Sequence, residues 1–401
     1  YAAAISVFSK IAPHTKIYPS AVSMWGRCLL DMGQAERSEQ LLKTIGAHEG
    51  GAIPYHGTVL AARYAQGLIK KAHQMYRWRA TSVDLAAYFK MPQLPKDIDL
   101  LGGKHRDQDS LFVAEGGPGD EIRIAALYDE LTDLCKSVTI SCDPRLKSLL
   151  QRSFPAINFI PTTRYRKEVL SSDIESRSLL TNFRLYQCLS DAIITEAQGK
   201  SLVCSTLDTL MELRGERHQF KGGSRLTPDS ESAEQFRTLL AQRPNRKKVG
   251  LSWRSMLTSN ARNRHYLKAE DLAPLAKIEG VDFWLLQTQV TEHELSVLKD
   301  AGLTVTVPDI DLKDDFERQA ALIANLDATI GPLSTMAELS GMVGTRTIIF
   351  CRTNDATWRK NNDGSDVWYE NGRLLTGAPE HDVPSLISRI ETELSDLVKV
   401  P

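Results

Sequence analysis

Three short stretches of this chain gather residue types that do chemistry. The first is Glu115-Gly-Gly-Pro-Gly-Asp-Glu-Ile122, lying between the apolar run Leu111 to Ala114 and the amphipathic stretch Arg123 to Leu134. A strand that runs through Gly116, Gly117 and Gly119 into a helix makes a corner where the backbone can take φ > 0. With no Cβ in the way, a ligand can come close. The helix start also offers unpaired N–H groups to anions. Asp120 and Glu121 point away from a phosphate in this loop, because two carboxylates repel one. They suit a catalytic base, or a partner for a sugar hydroxyl.

The second stretch, "GLSWRSMLTSNARNRHYL", carries Ser252, Trp253, Arg254, Ser255, Thr258, Arg262 and Arg264 on one loop after a buried strand. Guanidinium groups grip phosphate bidentately, and hydroxyls add neutral donors. The indole offers a face or an edge to a base or sugar, and serves equally well as core. A phosphate or diphosphate donor fits this loop; so does a plain solvated basic loop. The third stretch is "IGPLSTMAELSGMVG". Gly331 and Pro332 end a strand, and Ser334 and Thr335 open a helix of small residues whose positive end favours an anion. Simple N-capping by either hydroxyl is the alternative. Glu338, one turn in, has the chemistry to accept hydrogen bonds from a ribose or a sugar.

Other candidates weigh less. His265 beside the arginines reads as a donor contact or as a structural histidine. Asp97-Ile98-Asp99 and Asp309-Ile310-Asp311 have a metal-binding look, but read better as solvated turns. No metal is expected. Trp358, Arg359, Trp368 and Tyr369 sit in a polar, Asn-rich run, where loops commonly close over ligands; core packing is the stronger reading for the two tryptophans.

Composition sets the frame for these stretches. The chain has 401 residues, 42% hydrophobic and 25% charged, with formal net charge −1. That is too long for one core and too balanced for a nucleic-acid or anionic-membrane binder. Six scattered cysteines without a CxxC pair suggest reduced thiols in a cytoplasmic protein. No apolar run reaches the roughly 18 residues of a membrane span. The chain opens at Tyr1, without Met, inside an apparent helix, so a missing upstream segment is expected.

The elements that must position the three stretches follow from periodicity. Residues 1–92 show helical spacing broken by Gly and Pro. The pair around Trp25, Cys28, Leu29, Leu30 and Gly33, followed by Ala35, Leu41 and Leu42, is similar to a tetratricopeptide repeat hairpin. A helical bundle is the simpler alternative. After a Pro- and Gly-rich connection at 91–110, residues 93–225 read as a β-α-β-α-β series: a strand at 110–115, a helix at 121–134, a strand at 137–143, a helix at 144–152 and a strand at 157–162. A mostly helical stretch over 171–198 and a return to the sheet follow. Residues 226–401 read as a second strand-helix alternation, ending in a helix from 383 that crosses back onto the first half. Two such Rossmann-like series put ligands at the carboxyl ends of their strands, facing a cleft.

The three stretches, with "LYDELTDL", "VTISCDPRLKSLLQRSFP", "DDFERQAALIANLDATIGP" and "WYENGRLL", resemble in order and spacing the bacterial tetratricopeptide repeat glycosyltransferases. The resemblance covers about 93–380 well and the helical start loosely. It implies a GT-B fold like that of the lipopolysaccharide heptosyltransferases, and metal-independent sugar transfer from a nucleotide donor held mainly by the C-terminal half. The nucleotide sugar is a substrate, CMP-linked in this reading, and no separate cofactor is implied. The acidic residue of the family's "GxGD" loop maps onto Asp120 as base, with Glu121 beside it; Arg262 and Arg264 would stabilise the leaving phosphate. The implied acceptor is a protein recruited by the helical region, flagellin Ser/Thr, with a nonulosonic acid such as pseudaminic acid as the sugar. Where many relatives carry Asp-Thr/Ser and a following His, this chain has Leu333, Ser334 and Glu338, which bears on the donor. The rival readings are a client-binding scaffold with a degenerate GT-B fold and a heptosyltransferase-like enzyme.

Overall fold

The computed structural model describes residues 1–46, 56–91, 98–163, 185, 187–377 and 379–399. The chain divides into two units: Tyr1–Glu115 with Leu127–Lys147 and Phe154–Phe220, and Gly116–Ala126 with Ser148–Ser153 and Lys221–Pro401.

The first unit begins with six helices, α1 (Ala2–Phe8), α2 (Tyr18–Asp31), α3 (Ala35–Lys43), α4 (His56–Ala65), α5 (Ile69–Arg77) and α6 (Ala80–Tyr88). Between α2 and α3, Gly26 has no Cβ; one placed there would lie 3.1 Å from Leu42 Cγ. The Ser38 hydroxyl donates to the Gly26 carbonyl at 2.6 Å, so small residues let these two helices close on each other. α4 packs on both α2 and α3, and α5 packs on α4. Arg63 of α4 donates to Glu39 of α3 at 3.1 Å.

Strands β1 (Asp109–Val113), β2 (Ser137–Cys142), β3 (Asn158–Pro161) and β4 (Leu202–Ser205) form a parallel sheet in the order β3-β2-β1-β4. Leu111 lies between Thr139 and Val203. A parallel sheet covered on both faces buries continuous apolar runs, which is what β1 presents. The helix expected over 121–134 is two. α7 (Pro118–Ile124) and α8 (Tyr128–Leu134) are separated by a 3₁₀ turn at Ala125–Leu127. α7 groups with the second unit, where it packs on the helix Thr335–Val343, and α8 with the first, where it packs on β2. Of the helix expected over 171–198, Asp191–Glu196 is helical (α10, after α9 at Lys147–Ser153). Most of the rest lies outside the described residues, as does Asp97.

The second unit holds a six-stranded parallel sheet: β5 (Lys247–Leu251), β6 (Val281–Leu285), β7 (Val305–Thr306), β8 (Ala328–Pro332), β9 (Thr347–Cys351) and β10 (Gly372–Thr376), ordered β10-β9-β8-β5-β6-β7. Strand order reverses between β5 and β8, the switch point at which open sheets of this kind hold ligands. β10 was not expected, because its short apolar run follows a long polar one. The helix expected over Lys268–Ile278 is a 3₁₀ run with Pro274 inside it; proline has no N–H for an α ladder. The final helix, Val383–Lys399, does not leave its own unit. Leu386, Ile387, Ile390, Leu394 and Leu397 join Val249, Leu251, Phe283 and Ile348 in the core of the second sheet. Each such buried side chain contributes about 1.5–3 kcal/mol.

Candidate active site

The glycine corner is shaped by close approaches. Gly116 has φ +90°, and a Cβ there would fall 2.7 Å from Asp120 Oδ2. Gly117 is the extended N-cap of α7, and Pro118 follows with a φ suited to the first helical turn. The Gly117 N–H donates to Asp120 Oδ2 at 3.2 Å, and Arg123 Nη2 donates to Oδ1 at 2.8 Å. Asp120 therefore has a set orientation while its side chain stays 44% exposed. Glu121, by contrast, is buried, at 2% exposure.

Gly119 carries the contact that matters most. A Cβ on it would sit 3.0 Å from Thr335 Cα and 3.1 Å from Thr335 Oγ1. Thr335 opens the helix Thr335–Val343, numbered α16 after α11 (Leu210–Leu213), α12 (Ser230–Ala241), α13 (Asn260–Asn263), α14 (Glu292–Asp300) and α15 (Phe316–Ala324). Ser334 is its N-cap but makes no capping side-chain hydrogen bond, so plain N-capping is not what its hydroxyl does here.

At the switch point, the Ser252 N–H donates to the Ile330 carbonyl at 2.9 Å. A Cβ on Gly331 would lie 2.5 Å from Ser252 Oγ and 2.3 Å from Met336 Cε. Ser252 Oγ is buried without a hydrogen-bond partner among the described residues. A buried hydroxyl left unpaired costs about 1–3 kcal/mol, so it is either a tolerated defect or a group kept for a ligand. Contact by contact, Ser252, Gly331, Met336, Thr335, Gly119 and Asp120 form one continuous group, with Pro332 ending β8 beside Gly331.

Three of the expected donor contacts, at two places, are committed elsewhere. Trp253 is fully buried, and its indole N–H donates to Glu294 Oε1 at 2.9 Å. Arg254 grips the same carboxylate at 2.7 and 2.6 Å. Burial would raise the Glu294 pKa; Arg254, the Thr291 N–H and Trp253 outweigh it and bring it down to about 2. Glu338 is the second case. Its carboxylate accepts from Arg359 Nη1 at 2.9 Å, from Arg123 Nη1 at 3.3 Å and from the Tyr369 hydroxyl. Burial alone would raise its pKa, but Arg359 and then Arg123 hold it below the usual range. Arg359 in turn grips Asp366 at 2.7 Å.

Of the basic loop, Arg262 is exposed on α13, and Arg264 reaches Asp355 at 3.5 Å. His265 touches the same carboxylate at 3.5 Å and Thr353 Oγ1 at 3.0 Å. Asp311 accepts from the Lys313 and Asp314 amides, a turn cap. Among the described residues no group of three or more His, Cys, Asp or Glu is gathered as for a metal ion. Nor is any helix among them long and apolar enough to cross a membrane.

No family profile matches the sequence. The chain is 25% identical over 380 residues to Protein FlbA of Caulobacter vibrioides, covering 92% of this chain and 60% of that protein. It thus spans less than two thirds of the relative's length. It is also similar in structure to a glycosyl transferase family 9 protein from Veillonella parvula (TM-score 0.48, 11% identity, 73% of this chain and 98% of that one). The ADP-heptose LPS heptosyltransferase II of E. coli is similar too, with TM-score 0.49 and 13% identity over 72% of this chain and 98% of that one.

Sequence reasoning missed Arg123, Gln287 and Glu294. Arg123 stands three residues after Asp120, a spacing that puts both on one helix face, so its pairing was available in principle. Gln287 Oε1 accepts from the Trp253 and Arg254 amides, each at 3.0 Å, across two strands. No local pattern announces it. Arg359 and Tyr369, on sequence grounds loop residues near a ligand, are buried and hold Glu338.

Proposed function

We propose that this protein is a glycosyltransferase that moves a sugar from a nucleotide-activated donor to a hydroxyl, with Asp120 as general base. The observation that carries this reading is the group at the second sheet's switch point. There the uncapped start of α16 and the unpaired Ser252 hydroxyl adjoin, through Gly119, the helix that bears a half-exposed carboxylate. Anion donors and a base are the two things such a transfer needs side by side.

The chemistry then runs as follows. Asp120 takes the proton of the acceptor hydroxyl as its oxygen bonds to the anomeric carbon. The bond from that carbon to the donor phosphate breaks, and its electron pair leaves with the phosphate. The first-turn amides of α16, Ser334, Thr335 and Ser252 meet that growing charge, with Arg262 and Arg264 as further cationic partners and Gly331 and Pro332 giving the phosphate close access. Glu338, Trp253 and Arg254 support the site from within, Glu121 is structural, and Gly116, Gly117 and Gly119 shape the acceptor loop.

The finer reading follows the sequence resemblance. Residues 93–225 serve the acceptor and 226–401 the nucleotide sugar, in the GT-B manner and without a metal. The helical region, tetratricopeptide-like in its Gly26 and Ser38 packing, recruits a cytoplasmic protein acceptor. We take this to be flagellin, with a CMP-linked nonulosonic acid as donor. Thermal-shift titration with CMP, UDP, GDP and ADP, followed by intact mass of flagellin co-expressed with wild type or Asp120→Asn, tests it. A sugar-sized increment with wild type alone supports the proposal. The same increment with Asp120→Asn removes the base, and no nucleotide response removes the donor site.

A further inference from the structure

α7 is too short to hold a catalytic group steady by itself. It has seven residues, and an isolated helix of that length is unstable in water. The anchor that fixes the direction of Asp120 must therefore lie outside α7. The capping bond from the Gly117 N–H restrains one oxygen, but Gly117 is exposed at the tip of the glycine loop.

The other restraint has a different character. Arg123 sends one arm of its guanidinium to Asp120 Oδ1 at 2.8 Å and the other to Glu338 Oε1 at 3.3 Å. The group is planar and rigid, so fixing one arm sets the direction of the other. The Glu338 end is immobile. Its side chain is 5% exposed, and it is held by Arg359, which is 3% exposed, and by the buried Tyr369 hydroxyl. Arg359 is itself locked on Asp366 by its Nε at 3.0 Å and its Nη2 at 2.7 Å, and Asp366 Oδ1 also accepts the Trp368 N–H at 2.8 Å. Going outward from the core, Asp366, Arg359, Glu338, Arg123 and Asp120 alternate in charge, and exposure rises along them to 22% at Arg123 and 44% at Asp120.

We infer that Arg123 is the positioning residue for Asp120, and that Glu338, anchored by Arg359, Asp366 and Tyr369, is the fixed point from which it acts. This rests on the reading of Asp120 as the base. Glu338 thus serves the reaction without touching substrate. It carries the register of α16, whose first turn faces the donor phosphate in that reading, to the carboxylate that deprotonates the acceptor. Gly119 against Thr335 is a second close approach between the same two helices.

The inference separates orientation from binding, and so does its test. Arg123→Ala, Arg123→Lys, Glu338→Gln and Asp120→Asn are compared with wild type in transfer to purified flagellin from CMP-pseudaminic acid, with CMP affinity measured in parallel. Misplacing a catalytic group by about 1 Å costs on the order of 100-fold. Arg123→Ala is expected to lose kcat on that scale, with donor KM and CMP affinity within about twofold of wild type. Arg123→Lys, which keeps the charge but not the fork, is expected to recover part of the loss. Glu338→Gln should fall in between, with faster amide exchange over residues 116–124. An Arg123→Ala enzyme with wild-type kcat beside an inactive Asp120→Asn overturns this inference and leaves the base in place. A raised donor KM at unchanged kcat also overturns it, by making Arg123 a binding residue. A fully active Asp120→Asn removes both the base and its positioning residue.

Discussion

Arg123 of α7 and Glu338 of α16 are 215 residues apart in sequence and 3.3 Å apart in space. Between them they tie the glycine corner to the helix that starts at the second sheet's switch point. Removing one member of a buried ionic group leaves the others without compensation, typically at about 3–5 kcal/mol. Arg359→Ala takes the counter-charge from Asp366 and leaves Glu338 with only Arg123 and the Tyr369 hydroxyl. We expect it to lower the stability of the second unit by about that amount in urea unfolding; a loss under 1 kcal/mol would mean the network relaxes freely.

Ser252→Ala separates binding from folding. Its hydroxyl is buried and unpaired, so deleting it should leave the melting temperature unchanged or slightly higher. Nucleotide affinity should fall by roughly tenfold, the worth of about one hydrogen bond to a charged group. A stability loss with unchanged affinity would assign the hydroxyl to the fold.

Gly119→Ala tests the closeness of the two helices. The added methyl would meet Thr335 Cα at 3.0 Å, and backbone does not yield as a flexible side chain does. We expect a folded protein with far-UV circular dichroism like wild type, transfer reduced by about tenfold or more, and a destabilisation of about 1–3 kcal/mol from overpacking.

Two carboxylates predict opposite responses to pH. In the first unit Asp208 is raised from 3.8 to about 6, chiefly by burial and against the pull of Arg79. The folded state thus binds its proton more tightly than the unfolded chain. That stabilisation is fully present below about pH 4 and lost as pH rises through 6, on the order of 3 kcal/mol. Glu294 has the reverse sign. Burial opposes its charge, yet Arg254 and its other donors hold it at about 2, so its contribution is present above about pH 4.5 and lost as pH falls toward 2. Unfolding free energies from pH 3 to 7 for Asp208→Asn and Glu294→Gln, each subtracted from wild type, should slope in opposite directions. Parallel slopes would contradict the two environments.

Much of this was legible because parallel strands covered on both faces have few ways to be written. Val249, Leu251, Phe283 and Ile330 announce buried strands by their runs, and Gly331 and Ser334 announce where one ends and a helix begins. The α7 to α8 break was not legible. Its apolar residues keep helical spacing throughout, and only the elements they pack on differ. Glu338 misleads for a related reason. A carboxylate on a helix of small residues looks available until Arg359 and Tyr369, supplied from a polar stretch 21 and 31 residues on, are seen to enclose it. Long-range ion pairs leave no periodic trace, so charged residues in buried networks are where pattern reading gives out.

The junction between the helices and the first sheet bears on how this protein can be divided. Arg77 meets Glu212 at 2.5 Å, and Glu212 also takes the Ile98, Asp99 and Leu100 amides. Arg79 meets Glu115 at 2.6 Å and Asp208 at 3.4 Å, while Ser82 donates to Asp208 at 2.6 Å. Cutting the polypeptide after residue 91 would take both guanidinium counter-charges from three acids that sit beside β1 and β4. The amino-terminal helices are therefore no detachable adaptor: an attempt to trim the protein to its sheets would yield insoluble material, and swapping those helices for another set would succeed only if the arginines came with the replacement.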